Sequence, residues 1–227
     1  MVLFARSASE EACHKKLLPR RPENLQQPVL EAFTISSLAL LAATGLPYYL
    51  VSSAEQKGHT FGERLYQALS QTFARGYERV IVIGNDCPQL TVRDLHQAAG
   101  LLCHHDTVLG PSQNGGVYLL GLNKQVFEKV GSFEQIPWQT PEVHQELKAY
   151  FGQQQTTVAC LPTYADINTP KDFRQARRQK WFRRSLRSWI IRLLNLPVPR
   201  LHQPGFLLIP FLYQAANRFR GPPVFPQ

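Results

Sequence analysis

The stretch that most constrains this chain is a run of four β-branched residues, Val80 to Ile83, which stops at Gly84-Asn85-Asp86. Such a run is typical of a strand that is buried on both faces of a sheet. Pro88 prevents the strand from continuing and favours an extended backbone at Cys87. Ligands of open α/β sheets bind beyond the carboxyl ends of the strands. Asp86 is therefore either a ligand for a hard divalent cation or an ordinary turn residue.

Strands and helices alternate along the rest of the chain. Apolar runs predict further strands at residues 2–5, 48–51, 107–111, 117–122 and 157–161. Cap signals and amphipathic patterns predict helices that begin near Pro28, Thr60, Thr91, Thr140 (with Pro141 at the first helical position) and Thr169. This alternation predicts an α/β fold with a mainly parallel sheet.

Positive charge is concentrated near the C-terminal end. Residues 1–170 contain 13 Lys and Arg against 15 Asp and Glu, whereas residues 171–227 contain 12 against one, and together they give the net charge of +9. The basic character therefore belongs to the tail and does not indicate nucleic-acid binding by the globular part.

The tail has an amphipathic pattern. From Arg177 onward, apolar residues that include Trp181 and Trp189 fall on one helical face, and arginines fall largely on the other. This pattern is typical of a membrane-surface helix, but packing on the domain or on a second subunit explains it equally well. Nucleic acid is the least favoured partner, because base stacking does not require an aromatic stripe. We therefore divide the chain into a globular domain, residues 1–173, and a basic amphipathic helical tail, residues 174–227.

Cysteine usage and hydropathy bear on the compartment. None of the four cysteines forms a C-x-x-C pair, so neither a zinc knuckle nor a redox dithiol is indicated. The chain opens on a strand pattern rather than a signal peptide, and it has no run of 18 apolar residues. We expect a cytoplasmic protein, which the tail could bring to the inner face of the membrane.

Three motifs together resemble a known family: Gly84-Asn85-Asp86-Cys87-Pro88, the segment 114–122 that begins Asn114-Gly115-Gly116, and Asp166-Ile167-Asn168-Thr169-Pro170. With Phe61–Leu65 and Pro137–Glu142 between them, the chain resembles a bacterial family of glycosyltransferase-like proteins with the GT-A (nucleotide-diphospho-sugar transferase) fold. That family is similar to phospholactate guanylyltransferase and, more distantly, to molybdenum cofactor guanylyltransferase. The resemblance implies a three-layer α/β/α, Rossmann-like fold with a mixed, mainly parallel sheet, followed by the helical basic extension.

The resemblance also implies roles for individual residues. It assigns Asp86, with Asn168, to a divalent metal, Mg²⁺ or Mn²⁺, beside a nucleotide diphosphate. It implies catalytic roles for Asp86 and Asn114. Contacts with nucleotide or substrate are expected from Arg6, Lys15, Lys16, Arg64, Asn85, Gly115, Gly116, Trp138 and Thr140.

The chain departs from the family pattern at three places. The family has an aspartate where Asn114 stands and another where Asn168 stands. An amide is a poorer Mg²⁺ ligand than a carboxylate, and it cannot accept a proton as a base. In the first loop, Glu10-Glu11 replaces the usual Pro-Gly turn, and two acids there would repel phosphate.

The resemblance therefore implies a metal-dependent transferase with a nucleotide-activated donor. Glycosyl transfer from a sugar nucleotide to a small-molecule acceptor, which the sequence does not identify, is the simplest version. Nucleotidyl transfer to a small phosphorylated acceptor uses similar site chemistry and stays open. The departures at the motifs motivate a third reading, a catalytically degraded nucleotide-binding or membrane-associated scaffold protein.

Overall fold

The computed structural model describes residues 1–19, 25–179 and 182. The strands are β1 Val2–Phe4, β2 Tyr49–Val51, β3 Arg79–Ile83, β4 Thr107–Pro111, β5 Val117–Asn123 and β6 Val158–Cys160. The helices are α1 Ala8–His14, α2 Gln26–Ala42, α3 Phe61–Phe73, α4 Val92–Leu101, α5 Lys124–Val130, α6 Val143–Gln153 and α7 Pro170–Ala176.

The strands form one six-stranded sheet in the order β2-β1-β3-β5-β4-β6. Strand β5 runs antiparallel to both of its neighbours, and the other strand pairs are parallel. The predicted mixed, mainly parallel sheet is confirmed. Because β5 is reversed, its first residues lie at the same edge as the last residues of β3, with Leu119 opposite Ile83.

Alternation along β3 divides the core into two layers. Val80 and Val82 pack on one face of the sheet with apolar residues of α3, α5 and α6. Ile81 and Ile83 pack on the other face with residues of α2 and α4. Side chains of a strand alternate between faces, so a strand that is apolar throughout requires cover on both sides. The predicted three-layer α/β/α arrangement is confirmed.

Threonine caps fix where three of the helices begin. Thr60, Thr91 and Thr169 each accept a hydrogen bond from the third helical residue, which returns the bond in a capping box. The helix predicted at Thr140 is wrong by about two residues, since α6 begins at Val143 with Glu142 as its cap. The Thr140 hydroxyl instead donates to the Pro137 carbonyl oxygen and accepts from the Glu142 amide, which makes a turn.

Two short helices were not predicted, α1 and α5. Helix α1 buries none of its residues, so its sequence carries no apolar periodicity. The sequence signal for α1 is its N-cap, since Ser7 and Glu10 have the spacing of a capping box. In the structure the Ser7 hydroxyl accepts a hydrogen bond from the Glu10 amide.

A third apolar cluster joins α2 to α7. The ring of Phe173 on α7 contacts Phe33 on α2 and Phe182 beyond the helix, with ring centroids 6.3 and 6.5 Å apart. Phe182 is only 3% exposed. Apart from residues 174–179 and Phe182, the predicted amphipathic tail lies outside the described residues. Within the described part of the chain, no helix is both long enough and apolar enough to span a bilayer.

Candidate functional site

A cavity of about 500 Å³ opens at the carboxyl edge of the sheet. The ends of β1 and β3 and the first half of β5 form its floor, and the N-terminal parts of α3 and α6 form one wall. The polar residues that line it are Arg6, Glu11, Gln56, Arg64, Asn85, Asp86, Asn114, Gln139, Thr140, Asp166 and Asn168. Most of the predicted site residues therefore share one cavity.

Asp86 lies two residues beyond the last position of β3. Its backbone carbonyl oxygen accepts from the Ile167 amide at 2.9 Å, which ties the first motif to the last. Its side chain is 39% exposed, and Oδ1 lies 2.5 Å from Nζ of Lys15. The carboxylate thus faces the cavity and already holds one cation.

Lys15 belongs to a chain of alternating charges. Its side chain is only 7% exposed, and Nζ lies 3.8 Å from Oε1 of Glu11. The second oxygen of that carboxylate, Oε2, accepts from the Arg6 guanidinium at 3.1 Å. Glu11, which the sequence suggested would repel phosphate, here bridges the two cations of the first loop.

The adjacent lysine has a different position. Neither lysine is among the lining residues of the cavity, but Lys15 is buried and reaches its edge through Asp86, whereas Lys16 is exposed. The backbone of Lys15 is held from inside by the buried Gln26, whose Nε2 donates to the Lys15 carbonyl oxygen at 2.5 Å. The Oε1 atom of Gln26 accepts from the Leu18 amide at 3.1 Å. Gln26 therefore fixes the segment that presents Lys15.

Asp166 is a site residue that the sequence interpretation did not select, although it begins the motif in which Asn168 was chosen. Its Oδ1 atom is buried and has no hydrogen-bond partner in the described part of the chain. Burial raises the pKa of this carboxyl to about 6, and the negative charge of Asp86 acts in the same direction. The Ser112 hydroxyl, the Lys15 ammonium and the Asn114 amide oppose the shift. Two carboxylates are thus close enough to repel each other.

The loop between β4 and β5 carries Asn114. Its side-chain oxygen accepts from the Ser112 hydroxyl at 2.5 Å and from the Gly116 amide at 3.2 Å. The second bond is an Asx-type turn, so the amide oxygen shapes the loop. Asn114 and Gly116 line the cavity, whereas Gly115 packs behind it.

Gly115 has φ of +87°, and a Cβ atom added there would lie 1.8 Å from the carbonyl oxygen of Pro141. Its own carbonyl oxygen accepts from the His144 amide at 2.9 Å. The loop is therefore attached to the start of α6 through a contact that only glycine allows.

One wall of the cavity is aromatic. The ring of Phe61 lies 5.2 Å from that of Trp138 and 5.6 Å from that of Phe4, measured between centroids. Trp138 Nε1 donates to the Phe133 carbonyl oxygen at 2.9 Å, so the indole is fixed. Arg64 and Thr140 line the same part of the cavity.

Asn85 and Asn168 complete the polar edge. Asn85 lines the cavity while its Nδ2 donates to the Thr34 hydroxyl on α2 at 2.9 Å. Asn168 lines the cavity two residues after Asp166. No group of three or more His, Cys, Asp or Glu side chains suited to a metal occurs within the described residues. The oxygen donors that we consider for a metal at this edge are the carboxylates of Asp86 and Asp166 and the amide of Asn168.

This architecture is that of the GT-A-like nucleotide-diphospho-sugar transferases. The chain is similar to a candidate nucleotide-diphospho-sugar transferase from Desulfovibrio desulfuricans G20, with a TM-score of 0.71, 22% identity and coverage of 84% of this chain and 93% of that one. It is also similar to a cytidylyltransferase from Leptospira borgpetersenii serovar Hardjo-bovis, with a TM-score of 0.50, 13% identity and coverage of 85% and 90%. The resemblance predicted from the motifs is confirmed at the level of the fold.

Residues 47–140 match the profile of DUF2064, a family described as an uncharacterized protein conserved in bacteria. The matched segment contains Arg64, Asp86, Asn114 and Trp138. No curated protein matches the chain in sequence.

Proposed function

We propose that this protein is a metal-dependent transferase that uses a nucleotide-activated donor, most simply a glycosyltransferase that uses a sugar nucleotide. The observation that carries the proposal is that Asp86 and Asp166, from motifs far apart in the chain, face one cavity beside the buried Lys15. Carboxylates and a lysine at the carboxyl edge of an α/β sheet suit a phosphorylated ligand with its counter-ion.

The donor atoms fit Mg²⁺ or Mn²⁺. Asp86, Asp166 and Asn168 would hold the ion, and Oδ1 of Asp166 is a buried oxygen that still has a free acceptor position. Hard cations of this kind bind in proteins through one or two carboxylates together with substrate phosphates. When bound, the metal would neutralise the diphosphate and make it a better leaving group.

The cations of the first loop would complete the phosphate site. Glu11 forms ion pairs with both Lys15 and Arg6. Its single negative charge leaves this group of three side chains with a net charge of about +1. A diphosphate that enters the cavity would compete with Glu11 and Asp86 for these cations. Asn85 would orient the ligand at the end of β3.

The acceptor would occupy the rest of the cavity. Asn114 and Gly116 line it together with Trp138 and Thr140, and the two segments adjoin each other where Gly115 packs on Pro141. Since an amide does not take up a proton at neutral pH, Asn114 would act by hydrogen bonding to the acceptor rather than as a base.

A ligand-binding panel tests the proposal. Sugar nucleotides, nucleoside diphosphates and nucleoside triphosphates are titrated by calorimetry with and without Mn²⁺, against the natural protein and Asp86→Asn. We expect metal-dependent binding of at least one nucleotide and at least tenfold weaker binding in Asp86→Asn. Asp106→Asn is the charge-matched control, because Asp106 contacts Thr157 away from the cavity lining. No nucleotide binding to the natural protein would contradict the proposal.

Turnover of the bound compound separates the remaining alternatives. Release of a nucleoside diphosphate indicates glycosyl transfer, and release of pyrophosphate indicates nucleotidyl transfer. Binding without release, in the presence of candidate acceptors, indicates a non-catalytic nucleotide-binding protein.

The role of the tail in membrane or subunit contacts stays a prediction. Flotation with anionic liposomes, compared between the full chain and a chain that ends after Phe182, tests it. That end point keeps Phe182 in its packed position against Phe173.

A further inference from the structure

The Arg64 guanidinium stands apart from the other cations of the cavity. Arg6 and Arg64 are the two arginines among the described lining residues. Arg6 is paired with Glu11, whereas the ion pairs of the described part of the chain leave Arg64 without a carboxylate. Its positive charge therefore faces the cavity without an internal counter-ion.

The acidic residue nearest to Arg64 in sequence, Glu63, does not pair with it. The Glu63 carboxylate accepts from the His59 amide at 2.6 Å and from the Thr60 amide at 3.4 Å, where it closes the capping box of α3. These bonds lower the pKa of Glu63 and keep it ionised in that position. Glu63 thus serves the helix rather than Arg64.

The guanidinium also has an unmet hydrogen bond. Nε of Arg64 is buried and has no partner in the described residues. Buried N–H groups in native proteins are nearly always paired, and one attached to a charged group is costly to leave alone. An anionic ligand in the cavity would supply the counter-charge that Arg64 lacks among the described residues.

The surroundings of Arg64 indicate what kind of anion fits. Phe61 lies three residues before it on α3, and the ring of Phe61 packs against Trp138 in the same cavity wall. Gly62 lets this wall form, since a Cβ atom there would lie 2.8 Å from Trp138 Nε1. The wall is aromatic, with its two rings tilted by 46° to each other, and it suits the carbon body of a small acid whose charged end meets Arg64.

We propose that Arg64, with the Phe61–Trp138 wall, is the recognition site for a carboxylate or phosphate group on the acceptor. This inference rests on the proposed transferase function, because it assigns Arg64 to the second substrate rather than to the nucleotide. The donor phosphates are met by Lys15, Arg6 and the metal at the carboxylate edge. The acceptor is therefore a small anionic compound with an apolar or ring-shaped body.

Three matched probes test the proposal by calorimetry: phenyl phosphate, benzoate and the neutral benzyl alcohol. We expect the natural protein to bind at least one of the two anions at least tenfold more tightly than benzyl alcohol, and Arg64→Gln to lose this preference. The stronger of the two anions distinguishes phosphate from carboxylate. Arg93→Gln is the control, since Arg93 is an exposed arginine in the first turn of another capped helix.

Nucleotide binding is measured on the same variants. We expect Arg64→Gln to change the affinity for nucleoside diphosphate with Mn²⁺ by less than threefold. A tenfold loss there would assign Arg64 to the donor and overturn the proposal. Equal binding of benzyl alcohol and both anions by the natural protein, or an unchanged preference in Arg64→Gln, would overturn it too. If the natural protein prefers the anions but binds no nucleotide, the proposed function fails while the anion site stands.

Discussion

Asp86 and Lys15 form a direct ion pair across 71 positions of the chain, with Oδ1 and Nζ 2.5 Å apart. One partner is 39% exposed in its side chain and the other is 7% exposed. The pair links the end of α1 to the loop after β3, so this end of the cavity is organised before any ligand enters. A metal ion or a diphosphate that binds there must share or replace this contact.

The first prediction concerns the energy of this pair. Asp86→Asn leaves the buried ammonium of Lys15 without its closest carboxylate, so we expect it to lower the free energy of unfolding by about 1–3 kcal/mol. The double variant Lys15→Met with Asp86→Asn should recover most of that loss. Urea unfolding of the four proteins in this double-mutant cycle measures the coupling. A coupling below about 0.3 kcal/mol would show that the contact is not made in solution.

The second prediction concerns pH. The pKa of Asp166 is raised to about 6, so the folded state holds its proton more tightly than the unfolded state. As the pH rises from about 4 to about 6, deprotonation of Asp166 should therefore lower the free energy of unfolding of the metal-free protein. Above about pH 6 this loss should stay constant. Asp166→Asn should be more stable than the natural protein at pH 7.5, by up to about 3 kcal/mol, with no difference near pH 4.

Asp106→Asn provides a control of opposite sign. Hydrogen bonds from the Thr157 backbone and side chain lower the pKa of Asp106, so its contribution is present at neutral pH and is lost as the pH falls. We expect this variant to be less stable than the natural protein at pH 7.5. Thermal unfolding in EDTA across the pH range measures both variants, and equal pH profiles for all three proteins would contradict the assignment.

The third prediction concerns the order of binding. Two carboxylates and one amide supply few ligands for a hard cation, so the nucleotide phosphates should complete its coordination. We expect Mn²⁺ alone to bind weakly and to bind at least tenfold more tightly when a nucleoside diphosphate is present. Electron paramagnetic resonance of free Mn²⁺ measures both affinities. Tight Mn²⁺ binding by the nucleotide-free protein would show a donor set larger than the one described.

The fourth prediction concerns Gly115. Gly115→Ala places a methyl group against the Pro141 carbonyl oxygen at a positive φ, so we expect a loss of about 2 kcal/mol or more in the free energy of unfolding. Gly152→Ala is the matched control, because Gly152 lies in α6 with no atom near its added Cβ. That change should be neutral or stabilising by up to about 1 kcal/mol. Chemical denaturation measures both, and equal stability of the two variants would contradict the observed packing.

The fifth prediction concerns the support of Lys15. Gln26→Leu leaves the Lys15 carbonyl and the Leu18 amide without their buried partner, so we expect a loss of about 2–4 kcal/mol and weaker nucleotide binding. Gln27→Leu, at the exposed neighbouring position, should change the stability by less than about 0.5 kcal/mol. Urea unfolding and calorimetry compare the two. A nucleotide affinity that survives Gln26→Leu would separate Lys15 from the phosphate site.

Much of the fold could be predicted because local signals agree with it. The apolar run from Val80 to Ile83 predicts a strand that is buried on both faces, and the threonine caps predict where three helices begin. Strands that run parallel bring their carboxyl ends to one edge, so motifs as far apart as Asp86 and Asn168 meet there.

The parts that were missed depend on tertiary neighbours. Lys15 and Lys16 look alike in sequence, and only the folded contacts of Lys15 with Gln26, Glu11 and Asp86 distinguish the buried lysine from the exposed one. In sequence, Asp166 resembles an ordinary loop residue. Its raised pKa could not be predicted, because it comes from burial and from Asp86, which is 80 residues away in the chain. The sequence suggested that Glu11 would repel phosphate, and its ion pairs with Arg6 and Lys15 could not be foreseen because they depend on the formation of α1.

The close packing of Gly115 on Pro141 has a consequence for protein engineering. Residues 112–116 and 137–144 are separated in the chain but are joined by that contact and by the hydrogen bond from the His144 amide to the Gly115 carbonyl oxygen. A chimera that exchanges one segment without the other would disrupt the packing between Gly115 and Pro141. Engineering of this cavity should therefore exchange the two segments together.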